Sequence, residues 1–448
     1  MSNQTETLSL RRVLTNWWPL AASWMLMGLE LPALSAVVAR LANPQINLAA
    51  YGGIVFPLVL IVESPIIMLL AASTTLSKDL SSYKKIYKFM MWTSAILTGL
   101  HILTAFTPIY YVIVEKLIGA PSEIVEPARI GLKIMLPWTW AIAYRRFNQG
   151  ILIRFGHSQT VSTGTAIRLL TNVFVLITGY LLGNVSGIVI ATSAVTCGVT
   201  AEAIFIGIRV RPVIRDELSL APLVTPPLTF KAFIQFYIPL AMTSFLMLFV
   251  QPIGSAALSR MPNPLESLAA WPVVTGLIFL MRGMGIAFNE VVISLLGEEK
   301  SFSALKKFTI LLTTASTLLV AVVIVTPLAD MLFVKLFALP LELANIAKVG
   351  FWLSFLMPGL NAMQSWFQGA ILYSQKTRGI TESVIVFILS LIIILLFGIS
   401  RNDIIGLYVG IVAYASGMLF QTAWLWFRSL PTFQMVKERD LVPPARIG

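Results

Sequence analysis

Four ionisable side chains stand inside long apolar stretches of this 448-residue sequence, and two amides have similar surroundings. They are Glu30, Glu63, Arg282 and Glu290, together with Gln251 and Asn289. At the depth of a lipid bilayer, such a charge costs several kcal/mol unless it faces a partner or a cavity. A desolvated carboxyl group can carry a proton, whereas a guanidinium stays protonated and requires an anion. These six residues are the predicted lining of a substrate or ion cavity.

The composition indicates that a membrane surrounds these residues. Apolar residues make up 57% of the chain, charged residues make up 12%, and the mean hydropathy is +0.85, whereas soluble domains carry about 25% charged residues. Twelve apolar segments are long enough to span a bilayer. They lie at about 15–40, 48–76, 87–112, 124–152, 158–182, 186–209, 230–259, 267–296, 306–328, 341–373, 380–400 and 404–427. The sequence therefore predicts an all-α polytopic membrane protein.

The chain contains an internal duplication. Residues 19–51 and 239–271 align without a gap at an offset of 220 positions, with 14 identities in 33 positions. Later landmarks repeat with small insertions, among them Lys84-Lys85 with Lys306-Lys307 and Gln149-Gly150 with Gln368-Gly369. Because each copy holds six predicted helices, an even number, both enter the membrane in the same direction. We expect two six-helix bundles related by a pseudo-two-fold axis along the membrane normal.

The intramembrane charges differ between the two copies. Glu30 aligns with Val250, next to Gln251, and Glu63 aligns with Gly283, next to Arg282. Corresponding depths therefore carry different polar groups in the two halves. Two interpretations stay open: each charge is paired within its own half for packing, or the two halves line one polar cavity asymmetrically. A pairing of Glu63 with Arg282 across the cleft in one state follows from the second interpretation.

Charge distribution predicts the domain boundaries and the orientation. The predicted segments are an N-lobe at 1–208, a cytoplasmic linker at 209–229, a C-lobe at 230–428 and a cytoplasmic tail at 429–448. With the N-terminus inside, 23 Lys and Arg residues fall on the cytoplasmic side and 8 on the outer side, which places both termini in the cytoplasm. Basic cytoplasmic loops account for the net charge of +12 without a nucleic-acid partner. The predicted location is the plasma membrane, or the inner membrane if the protein is bacterial.

Two arginines and four prolines repeat at matching positions in the two copies. Arg40 and Arg260 stand at predicted helix ends, where arginine snorkels to the interface and caps carbonyl groups; attraction of substrate at an outer mouth is the alternative. The prolines stand inside predicted helices and permit kinks. They are Pro19, Pro32, Pro239 and Pro252.

Motifs for energy conversion and enzymatic chemistry are missing from the sequence. No Gly-rich loop with Lys-Ser/Thr indicates nucleotide hydrolysis, and His101 and His157 lack metal-ligand spacing. We expect neither cofactor nor bound metal and no enzymatic activity, although a channel and a membrane-embedded enzyme remain alternatives. Duplicated, kinked bundles with a polar interior favour secondary transport of a small molecule by a monomer, through alternating access.

The sequence resembles the multidrug/oligosaccharidyl-lipid/polysaccharide (MOP) transporter superfamily over nearly its whole length. Residues 145–152 (RRFNQGIL) and 366–372 (WFQGAIL) are similar to a motif of the multidrug and toxic compound extrusion (MATE) exporters, as are 187–192 (GIVIAT) and 406–410 (GLYVG). The aspartate that many MATE proteins use for ion coupling would fall near Leu34, so that role does not carry over. The resemblance implies a MATE-like exporter coupled to H⁺ or Na⁺.

Other stretches are closer to the progressive ankylosis protein branch of the superfamily. They are 48–52 (LAAYG), 150–153 (GILI) and 305–309 (LKKFT), with Thr326-Pro327 downstream. That resemblance implies export of an organic anion such as citrate, a nucleotide or pyrophosphate, with Arg282 as its counter-charge. An antiporter for organic cations is the alternative, and flipping of a lipid-linked substrate is disfavoured because twelve helices leave no extra pair for a lipid groove.

Overall fold

The computed structural model describes residues 8–374 and 378–441, and its regular elements are helices. The first half contains α1 Leu10–Gly28, α2 Glu30–Val38, α3 Pro44–Ala49, α4 Phe56–Glu63, α5 Leu69–Leu76, α6 Leu80–Phe106, α7 Ile109–Tyr111, α8 Ser122–Ile134, α9 Leu136–Arg154, α10 Ser158–Leu182 and α11 Gly187–Asp216. The second half contains α12 Phe230–Leu258, α13 Pro264–Leu295, α14 Ser301–Val325, α15 Leu328–Asp330, α16 Leu341–Leu353, α17 Met357–Tyr373, α18 Arg378–Arg401 and α19 Gly406–Leu441. Shorter turns are π-helical at Ala50–Val55, Val112–Ile118 and Met331–Leu336 and 3₁₀ at Leu218–Leu220.

Eleven helical segments of the described chain are long and apolar enough to cross a membrane. The remaining predicted span, 124–152, consists of α8 and α9, which are interrupted at Met135 and carry several charged side chains. Those charges keep the segment below the hydropathy of an ordinary span. The prediction of an all-α membrane protein is confirmed.

The duplication is visible in the backbone. Asn43 and Asn263 both adopt the left-handed conformation, with φ of 52° and 55°, and each precedes the proline that begins α3 or α13. Asparagine tolerates this conformation better than most residues, and proline suits the first helical position. A one-turn helix followed by a π-helical turn then occurs at α7 and again at α15. The two halves therefore share their local structure as well as their sequence.

The halves differ where prolines interrupt their first helices. Pro32 has no N–H to donate to the carbonyl of Gly28, and α1 ends at Gly28. The equivalent α12 runs without a break through Pro239 and Pro252, and Pro19 lies inside α1. Of the four predicted kink positions, Pro32 is the one that follows a helix boundary.

Contacts group the helices into two compact units, each described by itself. Of the described residues, the N-unit contains those in 33–260 and 264–269, and the C-unit contains those in 1–32, 261–263 and 270–448. Helix α1 thus belongs to the same unit as α14–α19, whereas α12 belongs to the same unit as α3–α11. Relative to the predicted lobes 1–208 and 230–428, the contacts therefore place α1 with the second half and α12 with the first half. The boundaries of the lobes as sequence repeats stay a prediction.

Aromatic contacts anchor each exchanged helix. In the C-unit, the indole N–H of Trp17 donates to the carbonyl of Met284 at 2.8 Å, and its ring meets Phe308 edge-on at 5.5 Å between centroids. In the N-unit, the Tyr237 hydroxyl of α12 donates to the carbonyl of Pro65. Both helices are therefore held by hydrogen bonds as well as by apolar burial.

Two helices extend beyond the predicted lobes. Helix α11 continues to Asp216, inside the predicted linker, and α19 continues to Leu441, inside the predicted tail. Ser429, Phe433 and Val436 are buried, which explains why this polar stretch stays helical. The predicted tail beyond Leu441 lies outside the described residues.

The Asp79 carboxylate binds the linker between the two halves through hydrogen bonds. Its carboxylate accepts hydrogen bonds from the N–H groups of Ser82 at 2.7 Å and of Val224 at 2.9 Å. Burial by itself would raise the pKa of Asp79, but these hydrogen bonds outweigh it and hold the pKa below the ordinary 3.8. The carboxylate is therefore ionised at neutral pH and fixes the linker to the start of α6.

Candidate functional site

Glu202 is the centre of a buried charge cluster in the N-unit. Its side chain has no solvent exposure, although it lies in the apolar helix α11. One carboxylate oxygen accepts from Arg145 Nη1 at 2.5 Å and lies 3.5 Å from Arg168 Nε. The other accepts from Gln149 Nε2 at 2.9 Å and from the Thr165 hydroxyl at 3.5 Å. Four groups from two neighbouring helices therefore compensate this one buried charge.

Helical spacing explains why these donors converge. Arg145 and Gln149 are four residues apart on α9, and Thr165 and Arg168 are three residues apart on α10, so each pair shares a helix face. Helices α9 and α10 both pack against α11. Arg146 projects from a different side of α9 than Arg145, because successive side chains in an α-helix are about 100° apart. The guanidinium group of Arg146 is therefore not part of the Glu202 hydrogen-bond set.

Glu63 is the second buried carboxylate of this region, and its side chain lies at the last residue of α4. It is 4% exposed. The helix stops here because Pro65 cannot donate to the carbonyl of Ile61, and the Ser64 hydroxyl donates to that carbonyl instead, at 2.7 Å. The corresponding helix of the second half, α13, is uninterrupted. The break therefore places Glu63 at a helix terminus inside the unit.

Glu63 faces arginines without touching them. The guanidinium groups of Arg146, Arg145 and Arg168 act on its charge, Arg146 most strongly. Within the described residues, however, no arginine or lysine lies within the 4.0 Å that defines an ion pair with Glu63. The Nε atom of Arg146 is buried without a hydrogen-bond partner. The buried Glu63 carboxylate and the partly buried Arg146 guanidinium are thus separated by a gap wider than 4.0 Å.

The charges of this cluster do not cancel. Three guanidinium groups stand against two carboxylates, so the cluster carries a net positive charge even when both glutamates are ionised. Isolated charge is costly in a medium of low dielectric constant. The arrangement is suited to attract an anion, and we refer to Glu63, Arg145, Arg146, Arg168 and Glu202 as the N-unit charge cluster.

Close packing at Gly150 sets the position of α9. A Cβ atom on Gly150 would lie 1.8 Å from the Ser73 hydroxyl and 2.5 Å from the carbonyl oxygen of Leu70. The hydroxyl can rotate away, but the backbone oxygen of α5 cannot. The glycine next to Gln149 is therefore required for the approach of the two helices.

Gly150→Ala is expected to push α9 away from α5 and to destabilise the protein by about 1–3 kcal/mol, the usual range for overpacking. Thermal unfolding of the purified protein in detergent measures the effect. Gly99→Ala is the matched control, because no atom apart from chain neighbours and the nearby backbone of its own helix lies within 4 Å of a Cβ built there. Equal unfolding temperatures for the two variants would contradict this account of Gly150.

The predicted site residues of the C-unit occupy several environments. Arg282 is partly buried, its Nη1 lies 3.4 Å from the Tyr414 hydroxyl, and its guanidinium carbon lies 5.7 Å from the centre of that ring. Its Nε atom is buried without a hydrogen-bond partner. Asn289 donates to the carbonyl of Ser365 at 3.3 Å, whereas Glu290 is exposed. Of the two charged residues, Arg282 is therefore the less exposed.

Glu30 and Gln251 are both partly buried, in the C-unit and the N-unit respectively. The predicted pairing of Glu63 with Arg282 joins residues of different units and stays a prediction. The same holds for one cavity shared by the six predicted residues.

Arg40 and Arg260 bind backbone carbonyl groups. Arg40 donates to the carbonyl of Ala36 at 2.6 Å, and Arg260 donates to the equivalent carbonyl of Ala256 at 2.6 Å. Arg260 also donates to the carbonyls of Ile118 at 2.7 Å and Leu117 at 2.6 Å. These contacts are those of helix-capping arginines, and the outer-mouth role remains a prediction.

Sequence reasoning missed most of the N-unit charge cluster. The 23 Lys and Arg residues counted on the cytoplasmic side included Arg145, Arg146 and Arg168, but all three lie within helices α9 and α10. Without them the count is still biased, with 20 against 8. Glu202 stood inside a predicted apolar span, and that isolated carboxylate was the available signal for a buried partner set. Within the described residues, no group of three or more His, Cys, Asp or Glu side chains is placed to hold a metal ion.

Comparison with known proteins identifies the fold. No family model matches the chain, and no curated protein matches it in sequence. A solved inward-facing multidrug resistance MATE transporter of the MOP superfamily matches with a TM-score of 0.71 and 13% identity, covering 92% of this chain and 96% of that one. The lipid II flippase MurJ matches with a TM-score of 0.71 and 16% identity, covering 95% and 90%.

The eukaryotic MATE transporter AtDTX14 also matches, with a TM-score of 0.62 and 16% identity, covering 96% of this chain and 100% of that one. Identities this low establish the fold and no more. The predicted MATE-like twelve-helix fold is confirmed. The closer resemblance to the progressive ankylosis branch stays a prediction. This chain is an integral membrane protein with the fold shared by MATE transporters and MurJ.

Proposed function

We propose that this protein is a secondary transporter of the MOP type that moves a small organic anion across the membrane by alternating access. The assignment of a negative charge to the substrate rests on the excess of guanidinium groups over carboxylates in the N-unit charge cluster. The fold supports the class of activity, because its solved neighbours are transporters and a flippase. Citrate, a nucleotide or pyrophosphate has the charge that such a site requires.

The five residues of the cluster have different roles in this proposal. Glu202 neutralises and orients Arg145, from which it accepts a hydrogen bond, and Arg168, whose Nε atom lies 3.5 Å away. Two neutral side chains also donate to it. Arg146 is left to face Glu63 across the gap. An anion that enters the gap gains the attraction of Arg146, and repulsion from Glu63 opposes it. Arg282, with its unpartnered Nε, offers a separate anion contact in the C-unit.

Ion coupling follows from the same repulsion. Protonation of Glu63, or binding of Na⁺ beside it, removes the negative charge that competes with the substrate for Arg146. Coupling ion and anion would then bind together, and each would favour the binding of the other by the same factor. In this proposal the protein works as a monomer in the plasma membrane, with both termini in the cytoplasm.

A flux assay in proteoliposomes tests the proposed function. The purified protein is reconstituted and supplied with radiolabelled citrate, ATP or pyrophosphate, under an imposed H⁺ or Na⁺ gradient. We expect flux of at least one anion above that of protein-free vesicles, stimulated by one of the gradients. Flux of organic cations alone, such as tetraphenylphosphonium, would overturn the anion assignment in favour of a multidrug exporter. Anion flux that no gradient drives uphill would indicate a channel.

A further inference from the structure

The C-unit contains a groove that no buried charged residue lines. Its volume is about 790 Å³, and helices α14, α17 and α19 form its walls. Trp366 and Phe433 stack in it with their ring centroids 4.7 Å apart. Large apolar side chains at its rim are strongly exposed, Ile310 by 58% and Trp426 by 53%. In a membrane protein, exposed apolar surface of this kind faces lipid.

One end of the groove is basic. Lys306, near the start of α14, and Lys437, near the end of α19, both line it and are both exposed. The Lys437 ammonium lies 5.0 Å from the centre of the Phe302 ring, which holds it over the mouth. Within the described residues, neither lysine has a carboxylate at salt-bridge distance. Two uncompensated cations therefore mark one end of an apolar groove.

The two lysines lie at the loop end of these helices. The N–H of Lys300, just before α14, donates to the Asp440 carboxylate near the end of α19, at 3.1 Å. Residues of α14 line the groove from Phe302 to Thr314, which is roughly 18 Å at 1.5 Å per residue. One leaflet of the hydrocarbon core is about 15 Å deep. The groove thus matches one leaflet, with its cations at the level of the headgroups.

We propose that this groove binds one anionic phospholipid, with its phosphate between Lys306 and Lys437 and an acyl chain along Trp366 and Phe433. Charge complementarity selects the headgroup, and basic recesses between helices at a membrane surface suit anionic lipids. The residues that line the groove include neither Arg282 nor any member of the N-unit charge cluster.

Native mass spectrometry of the full chain in detergent tests the site, with phosphatidylglycerol and phosphatidylcholine as probes. We expect the wild-type protein to retain phosphatidylglycerol in preference. The double variant Lys306→Ala with Lys437→Ala is expected to bind it about 30-fold more weakly, the effect of two lysines near a headgroup. The control Lys84→Ala with Lys307→Ala removes the same charge from exposed positions outside the groove and is expected to stay within about threefold of wild type.

A second variant tests the acyl-chain path with both lysines present. Ala423 lines the groove and is exposed, so Ala423→Trp is expected to fill it and to reduce retention of phosphatidylglycerol tenfold or more. Unchanged retention by the double lysine variant would overturn the proposal. So would equal retention of phosphatidylcholine by the wild type, which indicates an unselective apolar surface. Binding of inorganic phosphate as tight as that of phosphatidylglycerol would identify a free-anion site instead of a lipid site.

Discussion

Glu202→Gln is expected to lower the free energy of unfolding by about 3–5 kcal/mol, the usual cost of removing one partner from a buried ion pair. The amide retains the shape of the side chain but leaves Arg145 and Arg168 without a negative charge in the interior of the N-unit. Intrinsic fluorescence during heating in detergent measures the unfolding transition. The fraction of monodisperse protein that remains after incubation at a fixed temperature gives an independent measure, since membrane proteins often unfold irreversibly.

Glu217→Gln is the matched control for Glu202. Glu217 pairs with His157 at 2.7 Å, but both side chains are about two-fifths exposed, at 40% and 42%. Exposed pairs are screened by solvent and contribute about 0–1 kcal/mol. Wild-type unfolding behaviour of Glu202→Gln would show that the carboxylate is not a charged partner of the arginines, and the net charge of the cluster would have to be reassigned.

Arg146→Gln is expected to reduce anion flux at least tenfold while the protein stays folded. The variant removes the guanidinium group that is outside the Glu202 hydrogen-bond set, so the structural pairs of the cluster remain. Arg209→Gln, an exposed arginine on α11, provides the control and is expected to transport at the wild-type rate. Wild-type anion flux by Arg146→Gln would remove this arginine from the substrate path.

Glu63→Gln separates coupling from binding. An amide cannot gain or lose the proton, so we expect flux that runs down the anion gradient but no longer responds to the H⁺ gradient. Glu30→Gln, at a partly buried carboxyl group, shows which of the two predicted carboxylates couples. Uphill transport at wild-type rates by both variants would make both carboxyl groups structural.

The sequence predicted the elements that depend on local chemistry. Apolar length predicted the spans, and the duplication read from the sequence is also visible in the backbone, where Asn43 and Asn263 share the left-handed conformation. Both features depend on residues that are close together in the sequence. The helix break after Glu63 also depends on neighbouring residues. Pro65 causes the break, and the Ser64 hydroxyl donates to the carbonyl that Pro65 leaves without a donor.

The charge cluster escaped prediction because its partners are distant in the chain. Arg145 and Glu202 are 57 residues apart and meet only after α9 and α11 pack. By composition alone, Arg145 and Arg146 are indistinguishable from the loop arginines that orient a membrane protein. The exchange of α1 and α12 between the units could not be predicted for the same reason. A sequence repeat predicts two similar copies, but it does not show which copy a helix packs against.

Synthesis of this chain leaves its first helix without neighbours for a long time. The carbonyl that Trp17 binds belongs to a residue made 267 positions later, which takes a ribosome roughly 13–50 seconds at about 5–20 residues per second. Helix α1 must therefore reside in the bilayer unassembled, and the N-unit must wait for α12. A chain cut at the connector would give two fragments, each missing one helix of its own unit. The two fragments would have to associate in the same membrane before either could complete its fold.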